Sequence, residues 1–181
     1  MPTPIGHALG GLLVGLVLPD RPPRERVNNP LTGRLAVYAV AACLPDVDFF
    51  WGRHNMETHS LGFAVVVGLL VLAWKRDAWL AIGATLAVCS HVLFDWLGSD
   101  DFPPLGVMAL WPLTSRFYFA DAFVFEAISR RYWLPGFFTH NLLAVAREIA
   151  ILGPVVAGLW WFRRSTKHTA PGTRHSRIPS P

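Results

Sequence analysis

The residues best suited to chemistry in this chain are histidines and aspartates that could share a metal ion. The set comprises His7, Asp46, Asp48, His59, His91 and Asp95. Imidazole and carboxylate donors without paired thiolates are typical of a catalytic site for zinc or another first-row metal, because structural zinc sites more often use cysteines. Such an ion lowers the pKa of a bound water and polarises a phosphoryl or carbonyl oxygen. The set therefore predicts a divalent metal site of one or two ions, with zinc preferred.

Five apolar blocks must carry these residues. The 181 residues are 52% hydrophobic and only 15% charged, with a mean hydropathy of +0.37. The blocks lie at 5–18, 35–45, 61–74, 78–94 and 149–162. Each is shorter than the roughly 20 residues of a membrane-spanning helix, so the blocks are either core helices of an apolar soluble protein or membrane helices extended by polar flanks. The scarcity of polar surface favours the second, and we predict an all-α, polytopic membrane bundle of about five short helices.

The donor residues fall at one end of these predicted helices. Helix one begins near them, with Thr3 the expected N-cap and Pro4 the first residue. Helix three also begins there, with Thr58 the expected cap. His91 and Asp95, near the end of helix four, are four residues apart and share a helical face. Ionisable groups beside membrane helices are energetically expensive, so this convergence indicates a functional site.

The distribution of charge predicts the orientation of the chain. Basic residues are concentrated in the loops at 19–34 and 75–77 and in the tail from residue 163, whereas the other loops are richer in acids. The positive-inside rule places the basic set in the cytoplasm, so the N-terminus is expected outside and the C-terminus inside. Residues 165–181 are rich in Pro, Ser and Thr and predict a disordered tail after a membrane-embedded domain at 1–164. We expect this tail to serve topology and anionic lipid rather than nucleic acid.

Four short motifs and a Trp-Pro pair occur in the order seen in a known family. They are Pro4-Ile5-Gly6-His7, Leu44-Pro45-Asp46-Val47-Asp48, Thr58-His59-Ser60-Leu61, Ser90-His91-xxx-Asp95 and Trp111-Pro112. Over most of its length the chain resembles the membrane-bound metal-dependent hydrolases, also described as LexA-binding, inner-membrane-associated hydrolases. The motif order is also similar to that of the zinc-dependent phospholipases C and the single-strand-specific zinc nucleases.

This resemblance implies a bacterial inner-membrane protein with a metal-dependent phosphoesterase site. The implied metal ligands are His7, Asp46, His59, His91 and Asp95, with Asp95 a candidate bridge between two ions. The family's His-Arg-Gly motif reads His54-Asn55-Met56 here, so His54 matches and Asn55 replaces the arginine. The neighbouring Arg53 is the candidate substitute for that arginine.

Several residues have roles that the sequence leaves open. Asp48 is either a ligand, a partner that orients a histidine, or a turn-forming aspartate. His54 and Glu148 are the catalytic candidates; Glu148 would act as a general base, and an Arg–Glu ion pair at the membrane interface is the alternative. The aromatic-rich stretch at 117–133 predicts an interfacial helix that could cover the site. Asp100 and Asp101 are expected to be solvated loop charges.

These features favour a membrane-bound metal-dependent hydrolase that acts on a phosphoester of a lipid-like or amphiphilic substrate through a metal-activated water. The expected partners are membrane lipid and a small-molecule or lipid substrate, without nucleic acid. One alternative is a non-enzymatic metal sensor or transporter, although transporters hold their ligands near the bilayer midplane. The other is a scaffold that binds a cytoplasmic regulator through the basic tail.

Overall fold

The described part of the chain folds into five α-helices. The computed structural model describes residues 1–19, 31–51, 54–101, 103–120 and 122–168, without the side chains of residues 51, 167 and 168. The helices are α1 (Pro4–Val17), α2 (Leu31–Cys43), α3 (Leu61–Lys75), α4 (Ala78–Leu97) and α5 (Phe137–His168), and a 3-10 helix (Leu44–Trp51) extends α2. Across the described ranges there is no strand, only the isolated bridges Gly98–Phe125 and Val107–Tyr118. The predicted all-α class is therefore confirmed.

Polar side chains fix where these helices begin. The Thr3 side chain accepts a hydrogen bond from the backbone N–H of Gly6, and Pro4 is the first residue of α1, as predicted. The cap of α3 is Ser60, whose hydroxyl accepts from Phe63 N–H at 3.0 Å. The prediction of Thr58 as this cap was wrong, because the Thr58 hydroxyl instead donates to a carboxylate in the 3-10 helix.

Helices α2, α3 and α4 pack around a core of mainly small residues, and α1 lies against α2 and α4. Helix α1 contacts α2, α4 and α5, while α4 contacts α2 and α3. Tyr38 is surrounded by alanines and valines from three helices. The approach of α1 to α2 requires glycine, since a Cβ at Gly11 would lie 2.3 Å from the carbonyl oxygen of Tyr38. Small residues at such crossings are typical of helix packing in membranes.

The outer surface of the helices is strongly apolar. On α3 the exposed side chains include Val65, Leu69 and Leu70, and on α5 they include Leu142 and Leu143. Helices at Ala78–Leu97 and Phe137–Thr166 are long and apolar enough to cross a membrane by length and composition, while Pro4–Val17 and Leu61–Lys75 are shorter apolar helices. Monomeric soluble proteins rarely expose contiguous apolar surface on this scale. The surface therefore supports a membrane location over a soluble core.

Helix α5 runs parallel to α1 and is bonded to it at both ends. Near the start of α1, Thr3 donates its backbone N–H to Glu148 at 2.7 Å. Beyond its end, Arg163 donates to the carbonyl oxygens of Gly15 and Leu18 at 2.9 and 2.7 Å. Glu148 lies at the positive end of the α1 dipole and Arg163 at the negative end, so both charges stabilise α1.

Two predictions about helices were wrong: the interfacial helix at 117–133 and the bounds of the last helix. The described residues of 117–133 contain no helix; Tyr118 exchanges backbone hydrogen bonds with Val107, and Phe125 accepts from the N–H of Ser99. This aromatic stretch lies against the segment that follows α4, which satisfies its backbone without a helix. Helix α5 begins earlier than its apolar block and continues to His168, so the first four residues of the predicted tail are helical. Residues 169–181 of that tail lie outside the described residues.

Candidate metal centre

Four separate chain segments deliver the predicted donors to one end of the bundle. His7 lies in the first turns of α1, and Asp46 lies in the 3-10 helix that continues α2. His59 immediately precedes the α3 cap, while His91 and Asp95 lie in the last two turns of α4. Each of these residues lies within or close to the end of a helix. The donors meet because the starts of α1 and α3 and the ends of α2 and α4 lie at the same end of the bundle.

Asp95 is the hub of the cluster. Its Oδ1 lies 3.4 Å from His7 Nε2, and its Oδ2 lies 3.4 Å from His59 Nε2 and 2.9 Å from His91 Nε2. Asp46 completes the group, with its Oδ1 at 3.7 Å from His59 Nε2 and 3.8 Å from His91 Nε2. The two oxygens of Asp95 thus face different histidines, as a carboxylate that bridges two ions would.

The donor atoms are buried and lack ordinary hydrogen-bond partners. His7, His59, His91 and Asp95 are at most 1% exposed. Within the described part of the chain, no partner in hydrogen-bond geometry contacts either ring nitrogen of His7, the Nε2 atoms of His59 and His91, or the carboxylate oxygens of Asp95. Leaving such a buried group unpaired costs about 1–3 kcal/mol. A cation at their centre would satisfy all of these atoms except His7 Nδ1, because the two nitrogens of one imidazole face different directions.

The spacing of the donors matches a metal site. Ligand atoms at about 2.0–2.2 Å from a tetrahedral zinc ion lie about 3.3–3.6 Å from one another. The measured separations range from 2.9 to 3.8 Å. Three overlapping triplets have their ligand atoms within 4.8 Å of one another: His7–Asp46–His91, Asp46–His54–His59 and His59–His91–Asp95. Because the triplets share members, the cluster suits one or two ions.

Neighbouring oxygens orient the imidazoles. His91 Nδ1 lies 2.7 Å from the carbonyl oxygen of Ala42, which can only accept, so Nδ1 carries the proton and the Nε2 lone pair faces the cluster. Asp48 contacts two further rings, with Oδ1 at 2.8 Å from His54 Nδ1 and Oδ2 at 3.2 Å from His59 Nδ1. The hydroxyl of Thr58 donates to the same Oδ2 at 2.9 Å. Of the roles left open for Asp48, these contacts favour orientation of histidines.

The carboxylates also set the proton affinity of the cluster. Burial lowers the pKa of His59, but Asp46 and Asp48 outweigh it and raise this pKa to about 9. Burial raises the pKa of Asp48, yet the adjacent His54 and His59 rings hold it well below the usual range. A cation that binds His59 near neutral pH must therefore displace a proton.

A cavity of about 650 Å³ opens beside the cluster. Asp46 and His54 lie in its wall, together with Phe49, Arg130 and Arg131. Phe49 stacks on His54 with ring centroids 4.0 Å apart, and the Arg130 guanidinium lies 4.3 Å from the Phe49 ring. A cluster of histidines and aspartates at the wall of a cavity of this size has the geometry of a small-molecule site.

The comparison with protein families agrees with the membrane character of the helices. A model for the YdjM inner membrane protein matches residues 1–170. The chain belongs to the YdjM inner membrane protein family. The family name and the two long apolar helices together support a location in the inner membrane. No curated protein and no solved structure matches the chain.

The YdjM match does not extend to chemistry. Its description names no activity, metal or substrate. The predicted hydrolase activity, the zinc and the similarity of motif order to phospholipase C therefore stay predictions. In this YdjM member the Trp-Pro motif contributes to packing, since Trp111 accepts the backbone N–H of Gly62 in the first turn of α3 at 3.1 Å. A Cβ at Gly62 would lie 2.5 Å from that carbonyl oxygen.

Glu148 has contacts that differ from those expected of a general base. It is fully buried, and it accepts hydrogen bonds from both the backbone N–H and the hydroxyl of Thr3. It therefore holds the start of α1, four residues before His7. The alternative ion pair is also different from expectation, because Arg147 pairs with Glu126 at 3.3 Å, and both side chains are nearly half exposed. The catalytic role of Glu148 stays a prediction.

The sequence reasoning missed the cavity wall. Arg130 and Arg131 are adjacent in a loop of the acid-rich set, and such a pair of arginines was a usable signal for the cavity wall. Asp100 and Asp101, expected to be solvated, also line the cavity, and Asp100 accepts the backbone N–H of Gly106 at 2.9 Å. Arg53, the predicted substitute for the family's arginine, lies outside the described residues.

Proposed function

We propose that this protein is a membrane-bound, metal-dependent hydrolase that acts on a phosphoester of a lipid-like or amphiphilic substrate. The observation that carries the proposal is the convergence of His7, His59, His91 and Asp95, which are buried and whose atoms facing the cluster have no hydrogen-bond partner among the described residues. A fully closed cluster would favour a structural ion. The adjoining cavity, into whose wall Asp46 and His54 project, favours an open catalytic site instead.

The donor set suits zinc, in one or two ions. When bound, such an ion supplies a Lewis acid for a phosphoryl oxygen and lowers the pKa of a coordinated water. His7, Asp46, His59, His91 and Asp95 would hold the metal. Their burial excludes bulk water from all but the cavity side, where Asp46 is 16% exposed.

His54 is the candidate for proton transfer. Its Nδ1 lies 2.8 Å from Asp48, which fixes the ring and favours the tautomer with a free Nε2 lone pair. The ring also lies in the cavity wall, where a substrate would contact it. A positioned imidazole of this kind typically contributes a factor of about 10² to 10⁴ to the rate.

The membrane arrangement is part of the proposal. We infer that the five helices form a polytopic bundle with the metal cluster at the outer face. Basic residues lie at the helix ends that are remote from the cluster. They are Arg34 near the start of α2, Lys75 and Arg76 at the end of α3, and Arg163 and Arg164 near the end of α5. The positive-inside rule would place those ends in the cytoplasm. A cysteine in place of Asp101, which is exposed and lines the cavity beside the cluster, should react with a membrane-impermeant thiol reagent in intact spheroplasts.

Metal analysis of the purified full chain tests the proposal directly. The wild type should contain near-stoichiometric zinc or another first-row metal, and His91→Ala and Asp46→Asn should lose it. His140→Ala is the matched control, because His140 is exposed and its Nε2 contacts the carbonyl oxygen of Ala127 rather than the cluster. Metal-loaded protein that is inactive on phosphodiesters and on phospholipids of different headgroups would count against hydrolysis.

The two alternatives differ in measurable ways. A transporter would carry zinc across a liposome membrane, whereas a cluster at helix ends should give only background flux. A scaffold would bind its regulator through the basic tail, so deletion from residue 169 should abolish that interaction without changing the metal content. These measurements separate the alternatives from an enzyme.

A further inference from the structure

We infer that Arg130 and Arg131 form an anion-binding wall that holds the phosphoryl group of the substrate against the metal cluster. This inference rests on the proposed function and names how the same site recognises its substrate. Both arginines line the 650 Å³ cavity that also contains Asp46 and His54. Guanidinium groups present paired N–H donors that match phosphate oxygens.

A stack of three side chains positions Arg130. Its guanidinium lies 4.3 Å from the Phe49 ring, and that ring lies 4.0 Å from the His54 ring. His54 is fixed in turn by Asp48. The cation is therefore connected to the metal cluster through two stacked rings. An aromatic face attracts a cation while leaving its N–H edges available to a ligand.

The charges of the cavity make anion binding depend on the metal. Among the described lining residues, the carboxylates of Asp46, Asp100 and Asp101 face the guanidiniums of Arg130 and Arg131 and the amino group of Met1, whose pKa is lowered by burial. The metal-free cavity thus has no excess of positive charge with which to hold phosphate. A divalent ion would add positive charge, so the ion and the arginines would bind the phosphoryl group jointly.

The experiment titrates inorganic phosphate into the detergent-solubilised full chain, loaded with zinc or treated with a chelator. Arg130→Gln should weaken phosphate binding about tenfold to a hundredfold, as expected for loss of a charged hydrogen bond. Phe49→Leu should weaken it less, because both guanidiniums remain. Arg116→Gln is the matched control, since Arg116 is exposed in a loop outside the cavity. Chelation should weaken phosphate binding at least tenfold.

A parallel titration with a non-hydrolysable short-chain phosphonolipid distinguishes the source of the phosphoryl group. If the phosphonolipid binds more tightly than inorganic phosphate, the phosphoryl group belongs to a lipid headgroup. Equal binding assigns it to a soluble phosphoester and overturns the lipid part of the proposed function.

Zinc content measured on the same samples separates the two proposals. Absence of zinc in the wild type would defeat the proposed function. If zinc is stoichiometric but Arg130→Gln leaves the phosphate affinity unchanged, the anion-binding wall alone is overturned. The same holds if Arg116→Gln weakens phosphate binding as much as Arg130→Gln does. Phosphate affinity that survives chelation would also overturn it, because the metal-free cavity has no excess of positive charge with which to hold the anion.

Discussion

Replacing Asp48 with asparagine should weaken zinc binding at pH 9 and flatten its dependence on pH. Asp48 contacts the Nδ1 atoms of His54 and His59 at 2.8 and 3.2 Å. An amide is the same size but removes the charge that orients these rings. Loss of such an outer partner typically weakens metal binding tenfold to a hundredfold, or about 1.4–2.7 kcal/mol. The weaker zinc binding should be seen most directly at pH 9, near the pKa of His59, because protons compete little with zinc there.

At lower pH a second effect opposes the first. The pKa of His59 is raised to about 9 by Asp46 and Asp48, so below pH 9 the ring is protonated and must lose its proton to bind zinc. The wild-type affinity should therefore fall about tenfold per pH unit from 9 to 7. In Asp48→Asn the pKa of His59 drops part of the way back, since Asp46 remains. The difference in zinc affinity between Asp48→Asn and the wild type should accordingly become smaller toward pH 7.

Competition with a chromophoric chelator in zinc buffers measures both affinities. Asp101→Asn is the matched control, because it also removes one negative charge. Asp101 lies in the cavity wall and shows no contact with a histidine of the cluster. A variant that is weaker by the same factor at pH 7 and pH 9 would refute the coupling between Asp48 and His59. Unchanged affinity at pH 9 would refute the orienting role.

Substitutions at His54, Glu148 and Gly11 also have defined outcomes. His54→Gln should keep its zinc and lose a factor of about 10² to 10⁴ in hydrolysis rate; loss of the metal would identify His54 as a ligand. Glu148→Gln should retain zinc and activity, since an amide oxygen still accepts the Thr3 N–H, whereas Glu148→Ala should cost about 1–3 kcal/mol in a detergent melting assay. An inactive but well-folded Glu148→Gln would restore the general-base role. Gly11→Ala should destabilise by about 1–3 kcal/mol through overpacking against Tyr38, while Gly158→Ala, with open space around it, should not.

The donor set could be predicted from the sequence because it depended on helix ends alone. Alternating apolar blocks place the start of one helix beside the end of the next, so residues such as His7 and Asp95 were expected at one level. The fold class followed from the same blocks. Local competition was harder to read: Thr58 and Ser60 are both good capping residues, and only the position of Asp48 decides that Thr58 bonds elsewhere.

Features that depend on long-range packing could not be predicted. An aromatic-rich stretch has no clear periodicity, so the backbone pairing of Phe125 with the segment after α4 was not visible in the sequence. The sequence marks Glu148 as a candidate residue, yet its partner Thr3 is 145 residues away and could not be inferred from spacing. The cavity wall likewise requires Arg130 to meet Phe49 across the fold.

The bonds between α5 and α1 have a consequence for biogenesis. Of the described helices, α1 is synthesised before the others, and α5, synthesised after them, holds it at both ends through Glu148 and Arg163. A nascent chain that still lacks α5 would lack the carboxylate that holds the turn before His7. Metal capture should consequently be a terminal step of assembly, and chains truncated before α5 should reach the bilayer without zinc.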